Sequence, residues 1–327
     1  MVRPVSLVGR SVSGSARTFA SEGQYVVPIR RTAKRKYGRG MKKSLMIAAA
    51  TALAVAVPAA SAFAADPAKY QRFAANVVGK AGTDAKPKAV ELGIHPFHEY
   101  GIKGGPTNAG GLNSGATMEP PFSTVFANVY LDKALVFNMN SFPACDLQTI
   151  LDDPDSCDPD SRVDIPSSAS GLVRTKGALP GIYTLFTKLE IKTFIMKSRK
   201  PGGPRVLDTL ALRVVTPLVT AVIEGKLSNT TGSAKKLYGK VMRFTIPDGL
   251  IEPTGGLVSQ LVDFDSGIKA AYYKGKPGIG LKACPKSKKL NFGYSGEFTI
   301  NTTRNADQKS WKIMNVSPRI DKKVACK

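Results

Sequence analysis

Residues 183–196 read Tyr-Thr-Leu-Phe-Thr-Lys-Leu-Glu-Ile-Lys-Thr-Phe-Ile-Met. Tyr183, Leu185, Leu189, Ile191 and Ile195 share one parity, while Lys188, Glu190 and Lys192 take the other. A period of two marks a strand with one buried and one wetted face, as in an antiparallel sheet. Outward from this stretch, further strands are expected over 122–132, 206–215, 219–227, 237–246, 257–264, 290–300 and 310–316. Turn-forming residues separate them: Pro201-Gly202-Gly203-Pro204, Asp248-Gly249, Gly255-Gly256 and Lys274-Gly275-Lys276-Pro277-Gly278. Towards the N-terminus, Val90, Leu92 and Ile94 alternate with Glu91, Gly93 and His95 and predict a first strand. Residues 66–88 are polar and read as a mobile lead-in, and Gly101–Pro120 is a Gly/Asn-rich loop. No amphipathic helical period of useful length occurs. The expectation is an all-β chain, an antiparallel β-sandwich built as one body or two packed halves over 121–327, behind a lead-in over 65–120.

With 327 residues, 43% of them apolar, the chain is neither a disulfide-stapled miniprotein nor disordered. Residues 41–65 begin with Lys42 and Lys43, continue through an apolar run from Leu45 to Val57 and reach small residues ending in Ala62-Phe63-Ala64. That order predicts a secretory signal peptide over 41–64, cut after Ala64. Pro58 stops the run well short of the roughly 20 apolar residues of a membrane span. The Arg/Ser/Gly-rich residues 1–40 read as an extension, or as sequence ahead of a true start at Met41.

The whole chain carries 47 Lys+Arg against 24 Asp+Glu, a net +23. Residues 1–64 hold 11 of those bases and one acid, so the mature chain keeps 36 against 23, a net +13. Outside a cell such a charge suits anionic envelope polymers or lipid headgroups. The candidate contacts are two basic clusters, Lys197, Arg199 and Lys200, and Lys286, Lys288 and Lys289. With one Trp and no aromatic residues interleaved in these clusters, a base-stacking nucleic-acid surface is not expected.

All four cysteines, Cys145, Cys157, Cys284 and Cys326, fall in the mature part, where an even count favours two disulfides. Three connectivities are open. Cys145 and Cys157 bracket one Asp-rich loop while Cys284 and Cys326 bracket the last strands, which favours pairing within each bracket. That loop places Asp152, Asp153, Asp155, Asp158 and Asp160 within nine residues, a density of oxygen ligands that would suit calcium, although the spacing is not that of an EF-hand. The competing reading is a solvated Asp/Pro turn, and no other cofactor is expected. His95 and His98, beside Glu99, are the only histidines. Their three-residue spacing, broken by Pro96, does not suit a metal pair, and no Gly-x-Ser-x-Gly elbow occurs.

The segments Lys80-Ala81-Gly82-Thr83, Phe142-Pro143-Ala144-Cys145, Ser161-Arg162-Val163, Leu237-Tyr238-Gly239, Phe244-Thr245-Ile246-Pro247 and Ala283-Cys284-Pro285 occur in an order that is similar to uncharacterised secreted β-rich proteins of high-GC actinobacteria. The resemblance implies a β-rich fold and an extracytoplasmic compartment, and it carries no activity. Three functions are therefore in play. The first is an envelope-associated, non-enzymatic binding or structural protein with a basic surface. The second is a secreted hydrolase of a cell-surface polymer or lipid. The third is a carrier of lipids or small apolar ligands, in which strands 122–131 and 206–215 would line a cavity.

Overall fold

Alternating apolar residues need a second apolar surface to bury against, and here the sheet supplies it by curling onto itself. The computed structural model describes residues 71–98, 122–175, 184–196, 209–300 and 302–327. The expected signal peptide, the residues before it, the Gly101–Pro120 loop and the first basic cluster lie outside these residues. The strands in chain order are β1 (Gln71–Val78), β2 (Lys88–Ala89), β3 (Glu91–His98), β4 (Phe122–Asp132), β5 (Leu135–Phe137), β6 (Ser168–Thr175), β7 (Thr184–Ile195), β8 (Thr209–Val215) and β9 (Thr220–Asn229). They continue with β10 (Tyr238–Thr245), β11 (Leu257–Ile268), β12 (Tyr272–Tyr273), β13 (Lys276–Pro277), β14 (Ile279–Leu281), β15 (Lys289–Ile300), β16 (Asn315–Val316) and β17 (Ile320–Ala325). Two short helices accompany them, α1 (Leu147–Asp152) and α2 (Asp248–Ile251).

Twelve strands join in one antiparallel sheet, in the order β1-β3-β11-β6-β7-β8-β9-β10-β4-β15-β16, with β17 also pairing β15. The expected sandwich is therefore replaced by a single sheet curled as a half-barrel. Its inner face carries Val129, Leu131, Ile191, Leu210, Leu212, Ile223, Met242 and Phe244, which form one core. Phe194, Ala211 and Val222 point the other way and bury α1 through Ile150. Asp146 caps that helix by accepting the Thr149 N–H at 2.9 Å, and the Cys145–Cys157 disulfide closes the loop that bears it. A small sheet, β2-β14-β5, adds Leu135, Ile279 and Leu281 to the core at one end.

The curl brings β1 and the end of β3 against β15. Phe73 of β1 stacks on Tyr294 of β15 with ring centroids 5.5 Å apart, and His98 meets Phe298 edge-on at 5.7 Å. Both belong to the aromatic arrangements that are favourable beyond their buried area. At Gly296 a Cβ would sit 2.3 Å from the Phe298 ring of the same strand, so glycine leaves room for that ring at the seam. The Cys284–Cys326 disulfide, the Cys326 N–H donated to the Lys288 carbonyl and the Ala81 N–H donated to the Lys327 carbonyl fasten the same region.

Two sequence expectations change. Residues 71–78, expected in the mobile lead-in, form β1 and pair with β3 over its whole length, because Phe73 has the Tyr294 ring to bury against. In 310–316 only Asn315 and Val316 pair with β15, while Trp311 turns inward beside α2. Removing the seam ring in Phe73→Ala should cost about 3–5 kcal/mol, read as a loss of unfolding free energy in urea. Replacing Cys284 and Cys326 together by Ser releases a 42-residue span and should cost about 4 kcal/mol.

Candidate functional site

The inner face of the curled sheet is not filled throughout. An apolar cavity of about 80 Å³ lies where the 257 end of β11, the 215 end of β8 and the 220 end of β9 meet, walled by Ile223, Ile246, Leu261 and Phe264. A second cavity of about 30 Å³ shares those four side chains and adds Ile94, Val129, Leu212 and Phe244. A third, also about 30 Å³, shares these last four and continues to Leu210, Met242 and Ile268. The three therefore form a row along the inner face, with shared walls between neighbours. Gly225 makes room for the Phe244 ring, since a Cβ there would lie 2.6 Å from it.

The wide end has a rim. Leu218, in the turn between β8 and β9, lines the first cavity and is 36% exposed. Helix α2 crosses the same cavity with Leu250 and Ile251. Its Asp248 accepts the Trp311 indole N–H at 2.7 Å and an Arg304 N–H at 3.0 Å, while Arg304 stacks over the Trp311 ring at 3.7 Å. Ser259 of β11 adds a hydroxyl donated to the Leu250 carbonyl. This clamp holds α2 against the cavity by polar contacts outside the apolar wall.

At the narrow end, Thr193 and Ser266 are among the residues that line the third cavity. They are 0% and 2% exposed, and among the described residues neither hydroxyl has a hydrogen-bond partner. A buried hydroxyl without a partner costs free energy on the order of 1–3 kcal/mol, so a ligand atom able to hydrogen-bond there would be favoured.

The histidines part company. His95 is half-exposed and pairs with Asp263, Nε2 to Oδ2 at 3.1 Å, and this hydrogen bond raises its pKa against the opposing effect of burial. His98 is buried at the seam, and burial lowers its pKa to about 4, with a hydrogen bond to the Leu261 backbone opposing the shift. The two rings do not share a site.

Four of the five loop aspartates have a partner for the side chain. Asp152 accepts from Gln148 Nε2 at 2.6 Å, Asp153 accepts the Ser156 hydroxyl, Asp155 lies 3.6 Å from Lys192 Nζ, and Asp158 accepts the Asp160 N–H at 2.9 Å. The repeated Asp-Pro-Asp-Ser makes two single-turn 3-10 helices, over Pro154–Ser156 and Pro159–Ser161. Among the described residues no three His, Cys, Asp or Glu side chains gather as a metal site.

Both disulfides join the bracketed pairs. Lys286 and Lys288 are exposed in the turn before β15 and Lys289 is exposed at its first position, while Lys197, Arg199 and Lys200 lie outside the described residues. Among the described residues no helix is long and apolar enough to cross a membrane. Strands β4 and β8 contribute Val129, Leu131, Leu210, Leu212 and Val214 to the cavity walls. The row itself, and Thr193 and Ser266 within it, has no sequence signal, because an apolar residue at an inward position reads the same whether it faces a neighbour or a void. Comparison with family models, curated proteins and solved structures finds no match to the chain.

Titration of His98 gives a pH test. Its folded pKa lies below the 6.5 of the free side chain, so its contribution to stability is complete above pH 6.5 and is lost as the pH falls towards 4. The loss should reach about 3 kcal/mol relative to His98→Gln in paired denaturant titrations at pH 7.5 and 4. His95 has the opposite sign: its contribution is present below 6.5 and fades as the pH rises through its raised pKa, an effect reduced by exposure.

Proposed function

We propose that the protein is an exported binding protein that takes a slender apolar ligand, an alkyl chain or a molecule bearing one, into the interior of its curled sheet. The observation that carries this reading is the row of three cavities with shared apolar walls, reaching from the partly exposed Leu218 to Thr193 and Ser266. Small-ligand sites are concave, mostly apolar and equipped with a few placed polar groups, and the row has that composition. Its narrowness favours a linear chain over a fused-ring ligand. The two hydroxyls favour a ligand that carries an oxygen at its leading end, such as an alcohol or an acid.

The envelope-associated reading is compatible with this one, since it concerns the outer surface. The hydrolase reading has less support: among the described residues the shifted histidines sit apart, and Asp153, Asp155 and Asp158 of the Asp-rich loop are engaged in turns and one ion pair.

The test is displacement of the fluorophore 1-anilinonaphthalene-8-sulfonate by 1-alkanols of increasing length and by the matching alkanes. Saturable displacement that strengthens with chain length, and is stronger for the alkanol than for the alkane, is the expected result. Ile223→Trp, which fills the shared wall of the first two cavities, should weaken it at least tenfold without lowering the melting temperature by more than a few degrees. Binding that is unchanged in Ile223→Trp, or absent for every chain length, would overturn the proposal.

A further inference from the structure

A second surface stands apart from the row. The loops at the end of the sheet away from the rim gather lysines from many parts of the sequence. The Lys133 ammonium donates to the Lys236 carbonyl at 3.1 Å, the Cys326 N–H to the Lys288 carbonyl at 2.9 Å, the Lys282 N–H to the Ala134 carbonyl at 3.0 Å and the Ala81 N–H to the Lys327 carbonyl at 2.7 Å. These bonds hold Lys133, Lys236, Lys282, Lys288 and Lys327 around one end, with Lys289 opening β15 and Lys323 on β17. Among the described residues none of these lysines is in an ion pair.

The acids there offer little compensation. Asp132, at the heart of this end, is 3% exposed, and its two oxygens accept from Ala134 N–H, Asn291 N–H and the Asn291 side chain. Asp84 is exposed and Glu91 is half-buried. The outward field of the end is therefore strongly positive.

Apolar side chains stand among these lysines. Of the six exposed large hydrophobic residues among those described, three lie here: Val78 at 55%, Leu237 at 41% and Tyr272 at 57%. Val78 ends β1, Leu237 follows Lys236, and the Tyr272 hydroxyl accepts the Ala89 N–H next to Lys88. An acidic polymer would require only the charge. Ammonium groups interspersed with protruding apolar side chains instead match the boundary of a bilayer, where phosphates meet acyl chains.

We infer that this end docks on an anionic lipid bilayer, with the lysines on headgroup phosphates and Val78, Leu237 and Tyr272 entering the interface. The inference is independent of the ligand reading, and it leaves the rim around Leu218 on the far side from the membrane.

The experiment is co-sedimentation of the full chain with vesicles of phosphatidylcholine alone and with 30% phosphatidylglycerol, at about 50 and 500 mM salt. Two variants are compared with the wild type, Lys288→Glu/Lys289→Glu/Lys323→Glu and Leu237→Ser/Tyr272→Ser. Every arm carries the same N-terminal residues, so differences between proteins report this end, and intact disulfides with unchanged circular dichroism certify the fold. Expected are preferential, salt-sensitive binding to phosphatidylglycerol vesicles, at least a tenfold loss in the charge variant, and a several-fold loss in the apolar variant that persists at high salt. Equal binding by all three proteins would overturn the inference. So would capture by soluble dextran sulfate without preference for anionic vesicles, an outcome that would assign the lysines to a polymer.

Discussion

The stack of Phe73 on Tyr294 is the contact on which the rest of the structure depends. A twelve-stranded sheet laid flat would bury one face against nothing, and curling is the only way for its inner residues to find partners without a second sheet. The curl holds only if its two margins are tied, and β1 has few apolar side chains to offer: Phe73 is the one large ring it contributes. Gly296 leaves room for the Phe298 ring, and the Cys284–Cys326 disulfide fixes the neighbouring end of β17. A sheet tied along one seam need not pack solid at its centre, and the row of cavities is the space that remains.

Much of the strand content was legible because solvent and core impose a period of two on the sequence. Phe122–Asp132 matches its strand at both ends, and 257–264 and 290–300 fall within theirs. The strands that escaped have identifiable reasons. Gln71–Val78 has few large apolar residues, Ser168–Thr175 is rich in Ser and Gly, and Ile320–Ala325 is an edge strand whose charges, Asp321, Lys322 and Lys323, face solvent on both sides of the pleat. The choice between sandwich and curled sheet depends on which strands neighbour one another, and neighbours such as β11 and β6, or β4 and β10, are distant in sequence and leave no local trace. The disulfide pairs were legible because each follows a loop boundary, whereas the lysine-bearing end was legible only in its Lys286–Lys289 part. Its other members come from turns far apart in the chain, joined by backbone hydrogen bonds.

The Asp-rich loop shows carboxylates used locally. Of its five carboxylates in nine residues, Asp153 accepts the Ser156 hydroxyl and Asp158 accepts the Asp160 N–H. The opposite holds at Thr193 and Ser266, ordinary strand residues by sequence, which stand out only because folding leaves their hydroxyls buried and unpaired.

The seam also sets an order on folding. Phe73 precedes Tyr294 by 221 residues, so β1 is made long before its seam partner in β15. Through that interval β1 can pair only with β3, and its other edge stays open to any strand it meets, including the same strand of another nascent molecule. High separation between seam partners predicts slow closure. Cys326, by capturing Cys284 across a separation of 42 residues, acts as a latch on a door that cannot shut before β15 and β17 have both been made.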